Sequence, residues 1–176
     1  MIQIKDKTFI PFLEEKTLQK KIAEIGLKIS KDFAEKDPII IGVLNGAFMF
    51  LSDLARQISI PAEITFIKIS SYSGEKSTGK VKSLIGLETK LEGRNVIVVE
   101  DIVDTGLSMS QLIQQLKENN PASISLATLL YKPEAIQYKL HLDYIGFEIP
   151  NKFVVGYGLD YDGFGRNLRE IYQLKQ

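Results

Sequence analysis

VIVVEDIVDTGLSMSQLIQQL, residues 96–116, contains a strand, a turn and a helix in one stretch. Four apolar residues open it as a buried strand that ends in the acidic pair Glu100 and Asp101, a polar turn carries Asp104, Thr105, Gly106 and Ser108, and Leu112, Ile113 and Leu116 then recur at helical spacing. A strand that is apolar at consecutive positions is one covered on both faces, so the stretch predicts an α/β fold with a mostly parallel sheet flanked by helices. Working outward, similar runs stand at residues 39–44 (IIIGVL), 64–69 (ITFIKI), 124–130 (ISLATLL) and 153–155. Leu51, Leu54 and Ile58 recur at helical spacing between the first two of these, so both connections read as βαβ crossovers. Nearer the N-terminus, Leu18, Ile22, Ile25, Ile29 and Phe33 form one apolar face of a helix whose other face is rich in Lys and Glu.

The whole chain of 176 residues, 44% hydrophobic and 25% charged, reads as a single domain, and no repeat, low-complexity tract or linker divides it. Lys and Arg total 22 and Asp and Glu total 22, so the broad basic field of a dedicated nucleic-acid binder is missing. The absence of cysteine excludes disulfides, thiolate metal sites and Cys nucleophiles, and a single histidine, His141, makes a His-based triad or multi-His metal site difficult. His141 reads as a structural or surface residue. With no targeting segment and no membrane span in the sequence, the expected location is the cytoplasm.

Ligands of open α/β sheets bind at the carboxyl ends of strands, which is where the turn at 104–108 lies. Small hydroxyl residues and a glycine at a helix start leave backbone N–H groups free to meet an anion, as a monophosphate cradle does. Two carboxylates just ahead of it would repel a phosphate, so they fit a sugar diol or water-held Mg²⁺ better. The plain structural alternative is that Asp104 or Thr105 caps the helix while the acids stay solvated. That suffices for any one acid, but not for three acids and two hydroxyls between residues 100 and 108.

Residues 96–108 resemble the phosphoribosyl diphosphate signature of the type I phosphoribosyltransferases: four apolar residues, two acids, two apolar, then Asp-Thr-Gly-x-Ser. From about Ile39 to Arg169 the chain is similar to their purine-salvage branch, the hypoxanthine (hypoxanthine-guanine) enzymes, and only the N-terminal helix carries no signature. The resemblance implies transfer of a 5-phosphoribosyl group from phosphoribosyl diphosphate to hypoxanthine or guanine, with release of pyrophosphate. It implies that Glu100 and Asp101 hold the ribose hydroxyls and metal-bound water, that Asp104 is the general base or acid at purine N7, and that Thr105, Gly106 and Ser108 surround the 5′-phosphate. Leu44, Asn45 and Gly46 match the pyrophosphate loop, with Asn45 where many relatives carry a basic residue. Lys132 would donate to the purine 6-oxo group, Phe153 would stack on the base, Val154 would offer backbone groups, Arg166 would contact pyrophosphate, and Asp160 would bind a second Mg²⁺. The base-binding segment, 152–166, would form a small hood. The polar stretch SSYSGEKSTGKVKS, residues 70–83, matches the family's mobile lid, with Ser71 and Tyr72 closing over the reaction. A homodimer or homotetramer is implied, with no nucleic-acid or membrane partner.

Two rivals follow from the same residues. A regulator on this fold that senses phosphoribosyl diphosphate or nucleotides would want a DNA-binding domain or a basic face, and the composition offers neither. A phospho-acceptor receiver domain carries its acidic pair at the first strand, whereas here the pair comes after two earlier apolar runs.

Overall fold

The computed structural model of the protein describes residues 1–69, 84–85 and 87–175. Along the chain run β1 (Ile2–Ile4), β2 (Lys7–Leu13), α1 (Glu15–Asp32), β3 (Ile39–Leu44), α2 (Phe48–Gln57), β4 (Glu63–Ile69), β5 (Leu84–Ile85), β6 (Asn95–Val103), α3 (Leu107–Lys117), β7 (Ser123–Tyr131), β8 (Tyr144–Glu148), β9 (Val154–Val155) and β10 (Ile171–Leu174). The larger sheet has the order β5-β4-β3-β6-β7-β8, parallel throughout except for β5 at its edge. A smaller antiparallel sheet has the order β1-β2-β10-β9.

The consecutive apolar residues of the large sheet are divided between its faces. Ile40, Ile97, Val99, Ala127 and Leu129 pack with α1 and α2, while Ile39, Ile41, Val96, Val98 and Leu126 pack with α3. Coverage on both faces is thus the physical reason for the unbroken apolar runs. The chain moves from β3 outward to β4, then returns to lay β6, β7 and β8 on the other side of β3. Strand order therefore reverses between β3 and β6, and a ligand crevice opens beyond the carboxyl ends of those two strands.

Several expectations need correction. The acidic pair does not end its strand, because Ile102 and Val103 continue the pairing with Leu130 and Tyr131. The run at 153–155 contributes only the two residues of β9, and to the small sheet, since Gly156 turns away with φ +105°. Strands β1, β2, β8 and β10 were not expected at all. The segment 70–83 lies outside the described residues, so the lid assigned to it has no structural description.

Candidate active site

The register of β6 and β7 ends with Val103 beside Tyr131. The next residue of each strand is Asp104 and Lys132, and their side chains meet with Nζ 2.8 Å from Oδ2. Lys132 is only 6% exposed. A buried ammonium needs a partner to offset its lost hydration, and the Asp104 carboxylate supplies one. The Asp104 side chain is itself 47% exposed and faces the cleft.

Past Asp104 the backbone turns sharply into α3. Gly106 has φ +83°, and a Cβ there would lie 2.7 Å from the Tyr138 carbonyl, so the position excludes a side chain on two counts. Gly106 is also the N-cap, and among the described residues no side chain caps the helix. The capping alternative for Asp104 and Thr105 therefore fails: the Asp104 carboxylate goes to Lys132, and Thr105 Oγ1 reaches the Leu107 N–H only at 3.4 Å. The first turn of α3, whose N–H groups point away from the helix, borders a cavity of about 250 Å³ lined by Thr105, Gly106 and Ser108.

Glu100 and Asp101 are both buried. Burial, reinforced by the Asp101 charge beside it, pushes the Glu100 carboxyl well above its ordinary range. Its Oε2 is enclosed without any hydrogen-bond partner among the described residues. Asp101 Oδ1 accepts from the Ile102 N–H at 2.8 Å, and its other oxygen lies against the loop after β3. A Cβ on Gly46 would come 1.6 Å from Asp101 Oδ2, so this loop approaches the carboxylate with backbone alone. The Leu44–Asn45 peptide is cis.

The other wall comes from the hood. Phe153 is half-exposed; its ring meets Tyr161 edge-on at 5.9 Å and lies 6.2 Å from the buried Phe9. Arg166 Nη2 pairs with Asp160 Oδ1 at 2.6 Å, its Nη1 donates to the Gly158 carbonyl at 2.7 Å, and Asp160 Oδ2 accepts from the Gly163 N–H at 2.7 Å. Phe153, Asp160 and Arg166, with Lys132, Asp101 and the 44–46 loop, enclose a second cavity of about 360 Å³. The two cavities share Glu100 and Asp104.

Every site residue expected from the sequence lines one of the two cavities, except Ser71 and Tyr72, which lie outside the described residues. Leu159 and Ile102 line the second cavity without having been expected, and as apolar residues in apolar surroundings they carry no sequence signal. A larger cavity of about 730 Å³ lies around Lys117 and His141, away from all of these groups. Chemistry, not size, identifies the site.

The phosphoribosyl transferase domain model matches residues 12–162. The chain belongs to the phosphoribosyltransferase family. It is 44% identical over 166 residues to the hypoxanthine-guanine phosphoribosyltransferase of Mycobacterium tuberculosis (strain ATCC 25618 / H37Rv), covering 90% of this chain and 82% of that one. Identity with the protein of the same name from Bacillus subtilis (strain 168) is 40% over 164 residues, covering 93% and 91%. A crystal structure of a hypoxanthine-guanine phosphoribosyltransferase from Bacillus anthracis superposes with a TM-score of 0.87 at 38% identity, covering 97% of this chain and 99% of that one. The chain is accordingly an enzyme of the hypoxanthine phosphoribosyltransferase type, acting in purine salvage by phosphoribosyl transfer. The regulator alternative has no support among these relatives. The match also begins ahead of α1, so the likeness extends over the N-terminal helix that carried no recognisable signature.

Proposed function

We propose that the chain transfers the 5-phosphoribosyl group of phosphoribosyl diphosphate to N9 of hypoxanthine and/or guanine, giving IMP or GMP and pyrophosphate. The observation that carries this reading is the Asp104–Lys132 pair at 2.8 Å. On a 6-oxopurine, O6 and N7 lie side by side on one edge. An ammonium can only donate, which suits O6, and a carboxylate can take the N7 proton as N9 bonds to C1. Phe153 offers a stacking face for the base and Val154 backbone groups for its far edge, both on the wall facing that pair. The first turn of α3, with Thr105, Gly106 and Ser108, takes the 5′-phosphate, and Glu100 and Asp101 take the ribose hydroxyls. The backbone of 44–46 and Arg166 face the departing pyrophosphate, and Asn45 adds no charge of its own.

A divalent cation fits the acidic pair, because a buried carboxylate oxygen without a donor and a second carboxylate beside it are hard oxygen ligands. Bound Mg²⁺ would offset charge on the leaving diphosphate. Asp160 is the residue for a second ion, and it already shares its carboxylate with Arg166 and Gly163. A cytoplasmic homodimer or homotetramer completes the proposal.

The test is to mix the chain with phosphoribosyl diphosphate, Mg²⁺ and a panel of hypoxanthine, guanine, xanthine and adenine, with and without excess chelator. Turnover is expected with 6-oxopurines and not in chelator. Adenine presents a donor to a donor at Lys132, and a site built for one hydrogen-bonding pattern rejects the other by roughly 10⁴-fold. Comparable use of adenine would sink the assignment of Lys132, and full activity in chelator would remove the metal.

A further inference from the structure

Tyr157 lies between Gly156 and Gly158 in the hood, and only 1% of it is exposed. Its hydroxyl donates to Asp53 Oδ2 at 2.5 Å, and Gln19 Nε2 donates to the same oxygen at 2.6 Å. Asp53 belongs to α2 and Gln19 to α1. Three side chains thus tie both helices on one face of the large sheet to the turn that closes the cleft. Burial and the Asp53 carboxylate hold the Tyr157 phenol far above its ordinary range, so it keeps its proton and remains a donor.

The backbone shows why such an anchor is needed. Tyr157 has φ +50°, in the left-handed region where a residue with a Cβ is strained. Such a conformation persists where its surroundings over-determine it. Here the buried ring and its hydroxyl act on one side; on the other, Tyr157 N–H donates to Leu168 O and Gly158 N–H to Arg166 O, both at 2.9 Å. The outcome is a very close approach: a Cβ on Gly158 would stand 2.0 Å from the Gly46 carbonyl. The Gly158 carbonyl in turn accepts from Arg166, which pairs with Asp160. Phe153 and Val154 have separate support, since Val154 and Val155 pair with Gln173 and Tyr172 of β10.

We infer that Tyr157, anchored by Asp53 and Gln19, is a positioning residue for the diphosphate side of the cleft: it sets Gly158 against the 44–46 loop and thereby places Arg166 and Asp160. The inference rests on the proposed function, which supplies the diphosphate as ligand.

The full chain carrying Tyr157→Phe, Asp53→Leu or Asp53→Asn would be assayed for kcat, for KM of each substrate, for Tm, and for pyrophosphate affinity by calorimetry. Tyr157→Phe and Asp53→Leu should raise KM for phosphoribosyl diphosphate about tenfold, the weight of one charge-assisted hydrogen bond, with KM for hypoxanthine changed by less than about twofold. Asp53→Asn keeps an accepting oxygen for the Tyr157 hydroxyl but not its charge, and should raise the KM for phosphoribosyl diphosphate by only about threefold. Combining Tyr157→Phe with Asp53→Leu should add little to either change alone, as expected for two ends of one interaction. Should Asp53→Leu not fold, Tyr157→Phe and Asp53→Asn still form the comparison. A lower Tm with unchanged KM for phosphoribosyl diphosphate, or both KM values rising together, would reduce Tyr157 to packing and overturn the inference. If the parent chain turned over no purine, the reading above would fall, while the pyrophosphate affinities of the same variants would still decide this one.

Discussion

The two sheets face the cleft from opposite sides and place their groups by different means. In the large sheet, position follows from register: once Val103 pairs with Tyr131, Asp104 and Lys132 are neighbours. Strands β3, β6 and β7 are apolar and mostly buried on both faces, so a one-residue slip would exchange the side chains packed against α1 and α2 with those packed against α3. The small sheet brings together strands from both ends of the chain, and polar and aromatic contacts near its surface surround the Phe153 ring. Lys7 Nζ lies 4.5 Å from the Tyr161 ring centre and 5.7 Å from that of Phe153, Tyr161 donates to Asp6 at 2.8 Å, and Lys5 pairs with Asp162. On the proposed function, the difference teaches that Asp104 and Lys132 sit where the fold tolerates little slack, while the stacking of the base on Phe153 rests on contacts that can be altered by degrees.

The sharpest test of that contrast is Asp104→Asn. The amide keeps the size and can still accept from Lys132, but it cannot take a proton. Steady-state kinetics should show kcat reduced by roughly 10² to 10⁴, with nucleotide product affinity measured by calorimetry nearly unchanged. Normal turnover with an early thermal transition would make Asp104 merely the partner of a buried lysine, and the sheet side would lose its claim to the chemistry.

The same contrast explains which parts were legible in the sequence. Strand β3 coincides with its apolar run, and β6, α3 and β7 follow theirs, because a segment buried on both faces must be apolar wherever it is read. Strand β8 is an edge strand, partly buried and interrupted by Gly146. Strands β2 and β10 pair across nearly the whole chain, Ile171 with Leu13, and no local pattern announces that pairing. The site divides likewise. Asp104, Thr105, Gly106 and Ser108 are close in sequence because one turn builds them. The anchor of Tyr157 comes from Asp53, 104 residues away, and short spacing rules cannot reach it.

Glu100 tests the cost of keeping a carboxyl inside the rigid sheet. Its folded value is raised above the ordinary 4.5, chiefly by burial. In the window above 4.5 the folded chain therefore holds a proton that the unfolded chain has lost. The resulting stability is complete below the unfolded value and disappears as pH rises through the folded one. In metal-free protein, Glu100→Gln should raise Tm at about pH 8, by roughly 2 to 4 °C for each kcal/mol relieved, and the gain should vanish as pH falls toward the ordinary carboxyl value. Calorimetry at both ends of the range checks this. An equal shift at both would mean that the effect is packing and not buried charge.

The smallest expected effect belongs to the hood. Lys7 is partly buried, with its ammonium over two rings, one of which is the candidate stacking face for the base. A cation over an aromatic face at a site open to water contributes about 0.5 to 1 kcal/mol. Lys7→Met keeps the length and the apolar stem while removing the charge, so the rings keep their packing and lose only this attraction. Affinity for hypoxanthine should then weaken by about two- to fivefold, the same energy expressed as a ratio, with kcat and the KM for phosphoribosyl diphosphate unchanged. Lys7→Arg retains a cation able to stack on a ring and should stay close to the parent chain. A loss approaching that of Asp104→Asn, or one falling on the KM for phosphoribosyl diphosphate, would show that the hood is as unforgiving as the sheet and coupled to the diphosphate side through Tyr161 and Asp160. The contrast would then have to be redrawn around the cleft as a whole, because one surface contact would be governing both Asp104, which the parallel register places, and the diphosphate side, which the Tyr157 anchor places.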